Sequence, residues 1–210
     1  MRYLEFKKRV EKLPIISSSQ LFFLDKDMQI LRNQLNRWEK QKLIIKLKKG
    51  LYILNESDRK IEPSRMFIAN QLYFPSYLST EYALGFYDLI PERVADVTSV
   101  SPRKTYRVKN VFGVFIYQHI SSKAFRGFLL LKDENDYSFL IASPEKAIVD
   151  FIYLNLSRLK KDDKDIFEYS FRFQNVKRLS QSKLREYARI FGNKKLISVI
   201  ENFCKFIKKQ

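Results

Sequence analysis

Cysteine, histidine and glycine are scarce in this chain, and each shortage closes off a class of chemistry. A single cysteine, Cys204, among 210 residues rules out an intramolecular disulfide framework and fits a reducing compartment. The single histidine, His119, cannot join that cysteine in a zinc ligand set. It lies in GVFIYQHI, a strand-like run where a structural or exposed role outweighs catalysis. Five glycines supply no phosphate-cradling loop. Two acidic clusters, Asp133, Glu134 and Asp136 in KDEND and Asp162, Asp163 and Asp165 in KKDDKD, lack the histidine partners of a two-metal centre and read as solvated loops. No apolar run approaches the roughly 18 residues of a membrane span, and MRYLEFKKRVEKL lacks the apolar core of a signal peptide. The expectation is a cytoplasmic protein away from the membrane, not an enzyme, with no catalytic residue, cofactor or metal.

What the chain does have is apolar material and positive charge. Hydrophobic residues make up 45% and aromatics 15%, enough to build a core and to argue against global disorder. The formal charge is +17, and its distribution is uneven. Residues 1–55 hold thirteen Lys/Arg against five Asp/Glu, residues 56–155 hold twelve of each, and residues 156–210 hold fifteen against six. Two basic ends around a neutral middle point to polyanion-facing surfaces, nucleic acid first. A membrane surface is the second candidate, but no strongly apolar amphipathic helix accompanies the charge.

The pattern of the chain predicts an α+β fold in two domains, residues 1–55 and 63–210. RYLEFKKRVEKL reads as a short basic helix stopped by Pro14. Ser17, Ser18 and Ser19 offer N-cap oxygens to a second short helix, QLFFL. Asp25 or Asp27 can cap a third helix running to about Gln41. Leu43–Leu47 and Leu51–Leu54, joined by Lys48-Lys49-Gly50, read as a β-hairpin. Three helices followed by a hairpin is the order of a winged helix-turn-helix, and polar NESDRKIEP marks the boundary after it. Beyond it the sequence predicts a helix over Ser64–Tyr73 and another, EYALGFYDLI, capped by Ser79 or Thr80. Short β-branched and aromatic runs over 94–141 then predict a mostly antiparallel sheet. Ser143-Pro144-Glu145 opens a helix with Pro at its first position, in which Ala147, Ile148 and Phe151 pack inward. A basic helical tail with a break near Asn193 completes the chain.

In LRNQLNRWEKQKLIIKLKKGLYIL, advancing about 100° per residue places Met28, Leu31, Leu35 and Trp38 in one arc. Opposite them lie Gln29, Asn33, Asn36 and Lys40, flanked by Arg32 and Arg37, with Glu39 nearer the apolar edge. An outward face of this kind is often no more than a solvated one. Its amides and guanidinium groups are also the groups that pair with adenine and guanine edges in the major groove. Gln29, Arg32, Asn33 and Asn36 are therefore the expected base contacts, with Arg37 and Lys40 on phosphates. Lys46, Lys48 and Lys49, on or beside the hairpin tip, are the expected backbone contacts. RNA is the weaker alternative, because the aromatics read as core rather than as a stacking platform.

That run resembles the winged-helix segment of AbiEi-type antitoxins. FIANQLYFPSYLSTEYALGFYDLIPE, VTSVSPRKTYRVKNVFGVFIYQHI and FLIASPEKAIVDFIYL follow in the same order, so the resemblance spans about residues 20–156. PSYLSTEYAL and ASPEKAIVD are its most specific parts, and Gln41 stands where the pattern often has glycine. The resemblance implies an antitoxin of a type IV toxin–antitoxin system. Its winged helix would bind double-stranded DNA at the operator of its own operon, with inverted repeats among the expected forms, and repress it. The C-terminal part would counter a nucleotidyltransferase-like toxin without a stable complex. By position, Gln29, Arg32, Asn33, Asn36 and Arg37 with Lys46, Lys48 and Lys49 would touch DNA. The alternative keeps the fold but makes the chain a basic interaction module or solitary regulator, its C-terminal domain binding a protein or RNA.

Overall fold

The structure is a computed structural model that describes residues 2–23, 28–159 and 166–210. The caps expected from Asp25 or Asp27 and the cluster Asp162, Asp163 and Asp165 lie outside them. The chain is α+β. Its first elements are α1 (Tyr3–Val10), β1 (Ile16–Ser17), a 3-10 turn (Gln20–Phe23), α2 (Met28–Lys40), β2 (Ile44–Lys48) and β3 (Leu51–Leu54). The three strands form an antiparallel sheet in the order β1-β3-β2. Leu31, Leu35 and Trp38, spaced three and four apart, put one stripe of α2 into a core with Phe6, Val10, Ile16, Leu21, Ile44, Tyr52 and Leu54. The Trp38 ring lies 4.6 Å from Phe6 and meets Tyr3 edge-on at 5.6 Å. Each apolar side chain so buried contributes about 1.5–3 kcal/mol. A paired C-terminal motif closes α2: Lys42 N–H donates to Glu39 and Leu43 N–H to Trp38, with Lys42 left-handed at φ 57°. The left-handed position that favours glycine thus falls on Lys42, one residue after Gln41.

Residues 55–64 form turns and irregular backbone, yet they are pinned to what precedes them. Asp58 accepts from Lys7 Nζ (2.6 Å) and Tyr3 Oη (2.6 Å), and Lys60 pairs with Glu11 (2.7 Å). The Lys7 ammonium, helped by the Tyr3 hydroxyl, holds the Asp58 carboxyl below the usual carboxylate range. A depressed carboxyl stabilises the fold above its unfolded-state value, near pH 4, and loses that contribution as pH falls through its folded value. Asp58→Asn therefore removes about 1–2 kcal/mol at pH 7 and flattens the acid limb of stability, read by urea unfolding at pH 7 and below pH 4.

The remainder packs helices on a six-stranded sheet. In order come α3 (Arg65–Leu72), β4 (Tyr77–Leu78), α4 (Thr80–Phe86), β5 (Val97–Ser101), β6 (Tyr106–Asn110), β7 (Gly113–His119), β8 (Phe128–Lys132), β9 (Ser138–Ala142), α5 (Pro144–Leu154), α6 (Gln181–Phe191) and α7 (Lys194–Ile207). The strand order is β6-β7-β5-β4-β9-β8. The sheet is antiparallel for the most part, as expected, at β4–β5, β6–β7 and β8–β9, but it is mixed: β5–β7 and β4–β9 pair in parallel. The hairpin partner β6 lies outside β7, so β7 reaches β5 from the far side and runs the same way. Strand β4 has two residues, too few for any periodicity to reveal it.

Ser143 caps α5, its Oγ accepting from Lys146 N–H at 3.3 Å, with Pro144 at the first helical position. Ala147, Ile148 and Phe151 face the core, and so do Lys146 and Asp150, 1% and 0% exposed. Asp150 Oδ1 accepts from Lys146 Nζ, while Oδ2 accepts from Tyr77 Oη at 3.0 Å and Ser79 Oγ at 2.8 Å. The ammonium also lies over the Phe191 ring, 4.8 Å from its centroid. PSYLSTEYAL and ASPEKAIVD therefore meet in one buried polar network that ties β4 to α5. Among the described residues no helix is long and apolar enough to cross a membrane.

Candidate nucleic-acid interface

The amphipathic period of α2 sorts its side chains into two sets. With Leu31, Leu35 and Trp38 inside, Gln29, Arg32, Asn33, Asn36, Arg37 and Lys40 are all exposed. Gln29 Nε2 donates to Asn33 Oδ1 at 3.2 Å, one turn on, which aligns two amides along the helix surface. Beside this face runs a groove between α2 and the hairpin, lined by Arg32, Asn36, Lys46 and Lys49 with Ser18 and Gly50. Four of the residues expected to touch DNA thus converge there from two elements. Gly50 closes the tip with φ +83°, and a Cβ there would sit 3.1 Å from Ser18 Oγ. Glu39 reaches Lys46 at 3.7 Å, at the apolar margin of the helix. No ion pair joins Arg32, Arg37, Lys40 or Lys49 to an acid among the described residues.

Lys48 is placed otherwise. Strand alternation would point it the same way as Lys46, but Leu47 forms a bulge: Lys46 pairs with Tyr52 and Lys48 with Leu51. The bulge re-aims the side chain. The Lys48 ammonium donates to the Leu72 carbonyl at the end of α3, and burial, followed by the nearby Arg103 charge, lowers its pKa. Lys48, expected from sequence to touch phosphate, fastens the hairpin to the six-stranded unit. Asn110 Nδ2, donating to the Leu47 carbonyl at 3.3 Å, adds a second tie.

The electrically neutral middle is segregated: residues 97–132 hold seven Lys/Arg and no Asp/Glu. Of these, Arg103, Lys104, Arg107 and Lys109 are exposed on β6 and the turn before it, and β6 packs against β2. A scan for acid-free windows, rather than a count over a hundred residues, finds them. His119 lies at the end of β7, exposed, with Nδ1 3.0 Å from the Arg103 carbonyl oxygen. Asp133 organises the β8–β9 turn, accepting from the backbone N–H of Asn135 and Tyr137 and from Ser64 Oγ. Compared with protein-family models and with curated proteins, the chain matches none.

Proposed function

We propose that the chain is a sequence-specific DNA-binding antitoxin that represses its own operon. In this reading residues 1–55 are a winged helix-turn-helix, α2 enters the major groove and the β2–β3 hairpin is the wing. The observation that carries it is the groove where Arg32 and Asn36 from α2 meet Lys46 and Lys49 from the hairpin, beside an exposed amide face without a carboxylate. Gln29, Arg32, Asn33 and Asn36 read bases; Arg37, Lys40, Lys46 and Lys49 hold phosphates. The basic β6 surface beside the hairpin extends the same field. The C-terminal part, residues 63–210, counters a nucleotidyltransferase-like toxin in the cytoplasm without a stable complex, as the AbiEi resemblance implies. The chain performs no catalysis of its own.

The test is binding to the duplex upstream of its own gene against a scrambled duplex across a salt series. Affinity for the upstream duplex falls with salt at about −0.9 in log K per phosphate neutralised. Lys49→Ala weakens both duplexes alike and reduces that slope by about one. Lys48→Ala leaves the slope unchanged and lowers the melting temperature instead, since its ammonium is spent on Leu72. Equal affinity for the two duplexes sinks the base-reading claim.

A competing reading has the basic C-terminal helices bind a protein or RNA. It is favoured by Lys183, Arg189, Lys194, Lys205, Lys208 and Lys209, all exposed on or after α6 and α7. Retention of toxin neutralisation by a variant that no longer binds the operator would separate the two activities.

A further inference from the structure

The two edges of the six-stranded sheet differ in kind. One is β6, YRVKN, whose exposed Arg107 and Lys109 are the charges that keep an open edge from pairing. The other is β8, FLLLK, with Leu129 44% and Leu130 67% exposed. Its register with β9 is regular from Phe128–Ala142 to Lys132–Ser138, with no bulge to blunt it. A regular apolar edge of this type is a template for another strand.

The hydrogen-bond phase of β8 specifies which strand fits. Asp133 N–H donates to Tyr137 and Ser143 N–H to Gly127, both at 2.9 Å. The odd-numbered residues of β8 therefore turn their amides and carbonyls toward β9. Phe128, Leu130 and Lys132 direct theirs to the open side, where no partner meets them among the described residues. We propose that this edge pairs with the β8 of a second copy of the chain, antiparallel, across a two-fold axis at Leu130. About that axis Leu130 faces its own counterpart and Phe128 faces the second copy's Lys132. Every outward N–H and C=O of those three residues then finds a partner. Leu129 falls opposite Leu131, which covers the exposed leucines. Just beyond the strand, exposed Arg126 and exposed Glu134, the latter in the β8–β9 turn, come to the same end of the paired strands, opposite charges brought together twice by symmetry. Axes at Leu129 or Leu131 keep the phase but leave the outward groups of Lys132 or of Phe128 without a partner inside the strand, and an axis between two residues would set outward groups against inward ones. The product is a continuous sheet across two copies. It stands whether or not α2 reads DNA.

Sedimentation equilibrium of the full chain without DNA gives a concentration-dependent dimer. Leu130→Lys places two ammonium groups face to face at the axis and yields a monomer with an unchanged circular dichroism spectrum, the site being on the surface. Arg126→Glu raises the dimer dissociation constant about tenfold, and adding Glu134→Arg restores it. Cys204 is buried, so cross-linking with copper phenanthroline reports on introduced thiols: Leu130→Cys is trapped as a dimer and Leu129→Cys is not. A wild-type chain that stays monomeric at every attainable concentration overturns the proposal. So does a dimer that survives Leu130→Lys, or one in which both cysteine variants cross-link equally.

Discussion

Asp150→Ala lowers the melting temperature by about 10 °C, the largest single-residue effect expected in this molecule. The carboxylate is fully buried and accepts from Lys146, Tyr77 and Ser79. Burial alone pushes the Asp150 carboxyl up and the Lys146 ammonium down, each toward its neutral form, while their contact opposes both trends. Removing the acid strands the ammonium and two hydroxyls in the core, which costs about 3–5 kcal/mol, and each kcal/mol moves the midpoint of a chain this size by about 2–4 °C. The double variant Lys146→Met with Asp150→Leu removes both charges at similar volume and recovers most of the loss. Differential scanning calorimetry of the single and double variants decides the matter. An Asp150→Ala chain melting with the wild type would mean that the network contributes nothing to stability.

Asn33→Ala and Arg32→Ala each lower discrimination between the upstream duplex and its scrambled counterpart by about 1–3 kcal/mol, a factor of roughly 5 to 150. Both side chains are exposed, so stability changes little. Asn33→Ala also frees the Gln29 amide from its 3.2 Å bond, and its effect should be non-additive with Gln29→Ala, because the two amides act as a pair. Arg32→Lys separates charge from geometry: lysine keeps the phosphate attraction but loses the planar fork that matches guanine, so salt dependence persists while discrimination falls. Fluorescence anisotropy on both duplexes measures each quantity. A loss equal on both duplexes would reassign these side chains to backbone contacts.

Most of the helices and the hairpin were legible because their signals are local, whereas QLFFL, expected as a helix, is a 3-10 turn after the short strand β1. Leu31, Leu35 and Trp38 declare one helix face, Lys48-Lys49-Gly50 a turn, and Ser143-Pro144 a helix start. What escaped depends on partners distant in the chain. The parallel pairing of β5 with β7 leaves no mark in either strand, and β4 carries its identity only through its neighbours. The Leu47 bulge reverses the aim of Lys48 without a glycine to announce it. Lys146 and Asp150 occur in an ordinary i, i+4 spacing that reads as surface charge; only Tyr77 and Ser79, some seventy residues earlier, make burial tolerable. The outward face of α2 was legible as chemistry, whereas its convergence with Lys46 and Lys49 needed the fold.

The back of the hairpin belongs to the larger core: Ile15, Leu47 and Ile53 are buried in the same apolar cluster as Ile68, Leu72 and Phe115. Severing the chain between residues 55 and 63 would uncover them on both sides, so neither half is a free-standing part. The same seam couples the halves thermodynamically. A ligand gripping only the hairpin and α2, present at a hundred times its dissociation constant, adds about 2.7 kcal/mol to the unfolding of whatever melts with them. Through Leu47 and Lys48 that includes the six-stranded sheet, and by reciprocity whatever loosens the sheet weakens the grip.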